Sequence, residues 1–367
     1  MRPSYRVIDA DGHVDEKHIN WEERVPERYR RDAPCWVTYP DGRKHMTVEG
    51  KMWPSRRDFY GQLGKGPEPK KPPHMWGWDR VEGMQDPHKR IPDMDLEGID
   101  VAVLFGTFVG LGAIAAIEEP GLATAVATAY NNWLTEYCQP YPERLKGIAL
   151  LPWQDPQAAR REMRRCVEEL GMVGVQALTN FGGKLLHEEQ FDPIWEEAQG
   201  LGAPVCVHII STNSTGIDRF DRYVFKHAFY ALDSMLAVSS FAAGGILERY
   251  PKLKVAFMEA GAGWVPWIVD RLHEHYELLP QQMPWQTRDP GAWIKSENCY
   301  FAVEPEESTI PYVAQTIGED RLVYASDYCH WDCTCPDSVK LLYERTDLSD
   351  GLKRKILSEN AARLFVL

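Results

Sequence analysis

The sequence has no uninterrupted apolar run approaching the ~20 residues that a membrane-crossing helix requires. It is also short of positive charge: 41 Lys and Arg stand against 54 Asp and Glu, a net charge of −13. Its basic residues fall in short runs such as Arg56-Arg57 and Lys70-Lys71 rather than in a long stretch, which excludes nucleic acid and anionic membrane as expected partners and favours a small-molecule substrate. Near the start, Asp9, Asp11, Asp15 and Glu16 occupy the place where a signal peptide needs an apolar stretch, so a cytoplasmic location is expected. The 8 cysteines then read as reduced thiols. Cys329, Cys333 and Cys335 have no second close pair to complete a four-ligand zinc site, and they are expected to pack near the core. No Gly-x-Gly-x-x-Gly follows the first apolar strand, which removes the main signal for an open dinucleotide-binding sheet.

What is present is a long alternation of strand and helix patterns. Apolar strands are expected at Tyr5 to Ile8 and onward, Val101 to Phe105, Ile148 to Leu151, Gly174 to Leu178, Pro204 to His208, Leu253 to Met258, Cys299 to Val303 and Arg321 to Ser326. Helical segments separate them, among them Leu122 to Tyr137, Ala158 to Leu170, Phe191 to Leu201 and Phe229 to Arg249. Eight such units close naturally into a parallel barrel, so the expected fold is α/β, a (β/α)8 TIM-type barrel with a long insertion after the first strand. One domain over 1–367 accounts for the length. Its insertion, 34–93, reads as a hairpin around Asp41-Gly42 followed by an irregular, aromatic-rich excursion suited to a lid or to the contact of a homodimer.

In such a barrel, chemistry belongs at the C-terminal ends of the strands. Those ends carry Asp11 and His13, His208, Glu259, Glu304, and Asp327 with His330 three residues on. Asp9, Asp11 and His13 share one face by strict alternation. Carboxylates gathered at one mouth need a cation between them, and carboxylate with imidazole suits Zn²⁺ first, then Fe²⁺ or Mn²⁺.

The motifs Ile8-Asp9-Ala10-Asp11-Gly12-His13, Leu201-Gly202-Ala203-Pro204-Val205-Cys206-Val207-His208, Gly261-Ala262-Gly263-Trp264-Val265-Pro266 and Ala325-Ser326-Asp327-Tyr328-Cys329-His330 together resemble the amidohydrolase superfamily. The branch they resemble includes aminocarboxymuconate semialdehyde and resorcylate-type decarboxylases. The resemblance implies a metal-bearing barrel in which Asp11-Gly12-His13 takes the place of a first-strand His-x-His, while His208 and Asp327 match the fifth-strand His and the eighth-strand Asp. Glu259 stands nearest the place where the sixth strand commonly ends in His, a departure that leaves room for a second ion or for a carboxylate acid or base.

The expected metal ligands are therefore Asp11, His13, His208, Asp327 and Glu259, for one or two ions. Asp327, Glu259 and His208 are the expected catalytic groups, and Trp264, Tyr328, His330, Trp331 and Glu304 the expected substrate-binding ones. The first expectation is a hydrolase that attacks an amide, ester or thioester with metal-activated water. The alternative is a nonoxidative decarboxylase of an aromatic or unsaturated acid. Hydrolysis is preferred because a negative Glu259 would repel a carboxylate substrate.

Overall fold

Residues 2–38, 44–53, 75–76, 82–209, 227–330 and 332–367 are described, from a computed structural model of the chain. The first strand, β1 (Ile8–Val14), is wholly buried although half of it is polar. A small antiparallel sheet comes next: β2 (Cys35–Thr38), β3 (Lys44–Val48) and β4 (Lys51–Trp53). The expected hairpin is thus present with a third strand added, and its turn lies outside the described residues. Seven further strands complete the main sheet: β5 (Val101–Gly106), β6 (Leu145–Ala149), β7 (Gly174–Leu178), β8 (Val205–His208), β9 (Val255–Phe257), β10 (Cys299–Val303) and β11 (Leu322–Tyr324).

The sheet is 8-stranded and runs β1-β5-β6-β7-β8-β9-β10-β11, every pair parallel. It is a (β/α)8 barrel. Closure between β11 and β1 comes at their C-terminal ends, where His13 N donates to Tyr328 O at 2.7 Å and Asp327 N to Asp11 O at 3.0 Å. The Asp9 carboxylate adds to the seam, accepting from Ser326 N at 2.9 Å and Ser326 Oγ at 2.6 Å. The residues that close the barrel are therefore the same ones that carry the polar strand ends.

Side-chain direction along β1 changes part-way. Asp9 pairs with Ala102 and Gly12 with Leu104, so Ala10 and Asp11 together face Val103 across a bulge. Ile8 and Ala10 join Val101, Val103 and Phe105 in the barrel interior, whereas Val7 and Val14 belong to the layer between sheet and helices. The extra residue turns Asp11 inward and leaves Asp9 on the outer face. Strict alternation, which put Asp9 beside Asp11 and His13, is corrected here. Gly12 has no room for a side chain, since a Cβ would lie 2.5 Å from Arg90 Nη2 and 2.9 Å from Asp9 Oδ2.

The interior is filled by small and branched residues of the strands, with Ala361, Leu364 and Phe365 of the last helix plugging the N-terminal end. Helices over Pro120–Cys138, Pro156–Glu168 and Asp192–Leu201 cover the outside. The first two begin earlier than expected because Glu119 and Asp155 cap them and proline fits the first helical position. Phe229 to Arg249 is two helices, Ala231–Ala242 and Ile246–Arg249, parted where Gly245 takes φ +80°.

The insertion ends in regular structure, a helix over Pro87–Glu97 that supplies Arg90, Asp93 and Glu97 to the interior. Glu97 accepts from Ser338 Oγ at 2.5 Å and Val339 N at 2.9 Å, while its Oε2 is buried without a hydrogen bond. Burial lifts this carboxyl to about 7, against the opposing pull of those two donors. The neutral form is favoured in the fold, so its contribution to stability is complete below the unfolded value near 4.5 and is lost as pH rises to about 7. Urea unfolding of metal-free Glu97→Gln against the parent should show that loss flattened by up to about 3 kcal/mol across the window. Parallel stability curves for the two proteins would contradict it.

Candidate metal centre and active site

Four strand-end residues bring their polar side chains to one place. Asp11 and His13 come from β1, His208 from β8, and Asp327 from the turn after β11. His13 Nε2 lies 3.5 Å from Asp11 Oδ1 and 3.2 Å from Asp327 Oδ1, and His208 Nε2 lies 3.5 Å from the same Asp11 oxygen. Asp11, His13 and His208 are fully buried. Both Asp11 oxygens, His13 Nε2 and His208 Nε2 are buried without a hydrogen bond, and Asp327 Oδ1 is buried with only ion-pair contacts to His13 and His330. Unpartnered buried polar atoms cost free energy, and so many pointing at one another need a common partner.

A divalent cation fits that description. Ligand bonds of about 2.0–2.1 Å in a tetrahedral arrangement set donor atoms roughly 3.3 Å apart, close to the spacing seen here. Two carboxylates neutralise the charge, and two imidazoles complete a donor set suited to Mn²⁺, Fe²⁺ or Zn²⁺. The other ring nitrogens are already committed: His13 Nδ1 is 3.3 Å from Gly106 O and His208 Nδ1 is 3.1 Å from Ile209 O. Donating there leaves each Nε2 lone pair for a metal. Burial, and then the neighbouring His330 and His208, hold His13 well below the usual imidazole range, in the neutral form that ligates. For His208 burial is the largest influence and pulls the same way, but the Asp11 carboxylate, Glu259 and the Ile209 carbonyl together outweigh it and the result is a rise.

Glu259 forms a second group with His13, Asp327 and His330. Its Oε2 sits 3.3 Å from His208 Nδ1, the nitrogen turned away from Asp11, and its Oε1 4.0 Å from His330 Nδ1. His330 stacks on His13 with ring centroids 4.0 Å apart and brings Nδ1 to 2.7 Å from Asp327 Oδ1. Burial raises the carboxyls of Glu259 and Asp327 well above the ordinary range, with Asp327 adding its repulsion to the first and Asp332 to the second. Both residues have left-handed backbone, φ +50° and +51°, a conformation side chains rarely adopt and one concentrated at functional sites.

A cavity of about 160 Å³ opens above this group. Asp11, Glu259, Glu304 and Asp327 line it, joined by His227 and Asp332, which pair at 3.1 Å. Glu304 continues the inward face of β10 from Tyr300 and Ala302, so its place at the mouth accords with a period of two.

Three of the expected pocket residues lie elsewhere or deeper. Trp264 packs on Phe301 in the core, its Nε1 donating to Ala260 O and Gly261 O, because the helix beginning at Val265 draws the ring beneath the sheet end. Tyr328 turns from the cavity to donate its hydroxyl to Asp93 Oδ2 at 2.6 Å, with Arg90 lying 4.1 Å over its ring. His330 is inside the carboxylate and imidazole group itself. Trp331, and most of the irregular excursion expected as a lid, lie outside the described residues.

Several supports have no sequence signal. Arg90 Nη1 donates to His13 O at 2.6 Å and holds the bulge. Glu16 takes N–H donors from Thr107, Phe108 and Gly110, fixing the loop after β5 whose Thr107 Oγ1 is 3.4 Å from His330 Nε2. Cys329, Cys333 and Cys335 pack with Trp76, Met84 and Tyr328, as loop cysteines should.

Residues 8–367 match the family model described as Amidohydrolase. The chain belongs to that family. Among its relatives is the 2-amino-3-carboxymuconate-6-semialdehyde decarboxylase of Dictyostelium discoideum, 28% identical over 250 residues, which cover 66% of each chain, just under two thirds. The gamma-resorcylate decarboxylase of Polaromonas sp. is 28% identical over 314 residues, covering 78% of this amidohydrolase-family chain and 89% of that protein. The crystal structure of 5-carboxyvanillate decarboxylase from Novosphingobium aromaticivorans, complexed with manganese, aligns with a TM-score of 0.77 at 24% identity over 99% of this chain and 97% of that one. At that identity the likeness establishes the fold.

These relatives overturn the expectation of a hydrolase, since each is a decarboxylase. The physical premise fails as well. It takes Glu259 as a fully charged carboxylate, whereas burial, and then the neighbouring Asp327, push its carboxyl up from the ordinary range. A divalent metal is supported by the donor set and by the manganese of the structural neighbour, and nothing selects zinc.

Proposed function

We propose that this amidohydrolase-family chain is a metal-dependent nonoxidative decarboxylase of an aromatic or unsaturated carboxylic acid. The observation that carries the reading is the placing of a carboxyl, Glu259, beside the buried set Asp11, His13, His208 and Asp327 at the cavity floor. Those four residues would hold the ion. When bound, it supplies positive charge that grips the substrate carboxylate and an adjacent hydroxyl.

The rest falls to the protein. The bond between the substrate carbon and its carboxylate breaks, the electron pair stays on that carbon, and CO₂ leaves. The carbon then needs a proton, which the Glu259 carboxyl donates from the cavity floor. His330, stacked on His13 and close to both Glu259 and Asp327, keeps those side chains aligned. A cavity of about 160 Å³ suits a small molecule and limits water around the reacting carbon.

The test is product analysis on manganese-loaded protein supplied separately with hydroxybenzoates, unsaturated acids, esters and thioesters. CO₂ should evolve from at least one of the acids, with the matching decarboxylated product. Ester or thioester cleavage without CO₂ from any acid would refute the proposal.

A further inference from the structure

Two neighbouring residues of the loop after β5 touch the two imidazoles stacked at the centre. Gly106 O is 3.3 Å from His13 Nδ1 and Thr107 Oγ1 is 3.4 Å from His330 Nε2, in rings whose centroids are 4.0 Å apart. A buried carboxylate organises this loop. Glu16, fully buried, accepts from Thr107 N and Phe108 N, both at 3.0 Å, and from Gly110 N at 3.1 Å, a backbone nest of the kind that encloses anions. Two glycines let the chain wrap so closely: a Cβ on Gly106 would strike Glu16 Oε1, and one on Gly110 would lie 2.8 Å from Gly106 Cα. From the far side Gln176 Nε2 donates to Gly110 O at 2.8 Å, so the loop is pinned at both ends.

Hydrogen-bonding capacity then assigns the hydrogens. Asp327, as a ligand of the ion, is a carboxylate and can only accept, so His330 Nδ1, 2.7 Å from its Oδ1, carries the ring hydrogen. In a neutral ring that leaves a lone pair on Nε2, within a buried side chain, and a buried acceptor needs a donor. Thr107 is placed to supply one, and among the described residues His330 Nε2 is the hydrogen-bond partner of its hydroxyl. Without that donor the hydrogen can shift to Nε2, which sets a nitrogen lone pair against the Asp327 carboxylate. Resting on the metal centre of the decarboxylase reading, we propose that Thr107 is a positioning residue: its hydroxyl holds His330 in the Nδ1–H form that orients Asp327 beside Glu259, and the Glu16 carboxylate holds Thr107 in place to do so.

Two substitutions separate a hydrogen bond from simple packing. Thr107→Val keeps the shape of the side chain and removes the donor, whereas Thr107→Ser keeps the donor and removes a methyl group. With manganese saturating and the substrate found by product analysis, Thr107→Val should lower kcat about ten-fold and leave KM within about two-fold, the scale of one buried hydrogen bond. Thr107→Ser should recover kcat to within about three-fold of the parent. A packing role gives the reverse order, Val harmless and Ser costly, and that order would overturn the proposal. Glu16→Gln sets an amide N–H against one of the loop's own N–H donors and should lower kcat by about ten-fold or more. Adding Thr107→Val to it should then cost less than about a further two-fold, and losses that multiply would show that Glu16 does not act through Thr107.

The state of the ring is read without turnover. Long-range ¹H–¹⁵N spectra of zinc-loaded protein, zinc being a diamagnetic member of the ions that the donor set suits, should show His330 with its hydrogen on Nδ1 in the parent and, in part or wholly, on Nε2 in Thr107→Val. A parent ring with hydrogen on Nε2, or identical spectra from parent and variant, would overturn the proposal. The two readings fail separately: the expected spectra without CO₂ from any acid would sink the decarboxylase proposal alone, and CO₂ release from a parent whose His330 carries hydrogen on Nε2 would sink this one alone.

Discussion

Replacing Asp11 with Asn is expected to lower turnover by about 10³-fold or more and metal affinity by at least about 100-fold, with the fold retained. The reason is where its two oxygens sit. One is 3.5 Å from the Nε2 of each of two histidines, neither oxygen has a hydrogen bond, and the side chain is buried. A carboxylate so placed is balanced by a cation or not at all. Outer-shell partners of metal ligands already cost 10–100-fold in affinity when lost, about the least a direct ligand should cost. The barrel seam is spared because the bond from Asp327 N goes to the Asp11 backbone oxygen, which Asn keeps. Circular dichroism should match the parent while initial rates collapse. A variant within about three-fold of parental activity would show that Asp11 holds no ion.

Glu259→Gln should separate chemistry from metal binding. The amide keeps the size and some polarity of the side chain but has no carboxyl proton to give to carbon. Proton transfer by a positioned group contributes about 10²–10⁴-fold, so kcat should fall by that range. Metal affinity should change little, because Glu259 meets His208 through Nδ1 rather than through the nitrogen turned toward Asp11. The readouts are kcat, KM and the bound metal of the same preparation. Undiminished kcat would remove Glu259 from the reaction, and metal lost together with kcat would make it a ligand instead.

How far the sequence discloses this site depends on which residues obey simple periodicity. On β10 and β11 the inward face passes from Tyr300 and Ala302 to Glu304, and from Val323 and Ala325 to Asp327, so both carboxylates are legible from a count of two. On β1 the count fails at one bulge, which is why Asp9 ties the seam from outside while Asp11 turns in. Trp264 and Tyr328 are close in sequence to true site residues, but the chain leaves Glu259 and Asp327 through a backbone of positive φ, and composition does not encode the direction it takes there. Arg90 and Glu16 act through backbone groups distant in sequence, so no local pattern reveals them. The expectation of hydrolysis is overturned by the decarboxylase relatives. A sequence shows that Glu259 is acidic but not how deeply it lies among other acids, where burial pushes its carboxyl up.

Elemental analysis of dialysed protein, paired with anomalous diffraction at the metal edge, tests the centre most directly. The expected result is one divalent ion per chain, bonded to Asp11, His13, His208 and Asp327, and absent from the Asp11→Asn variant. An ion held elsewhere, or parent and variant with equal metal content, would contradict the account.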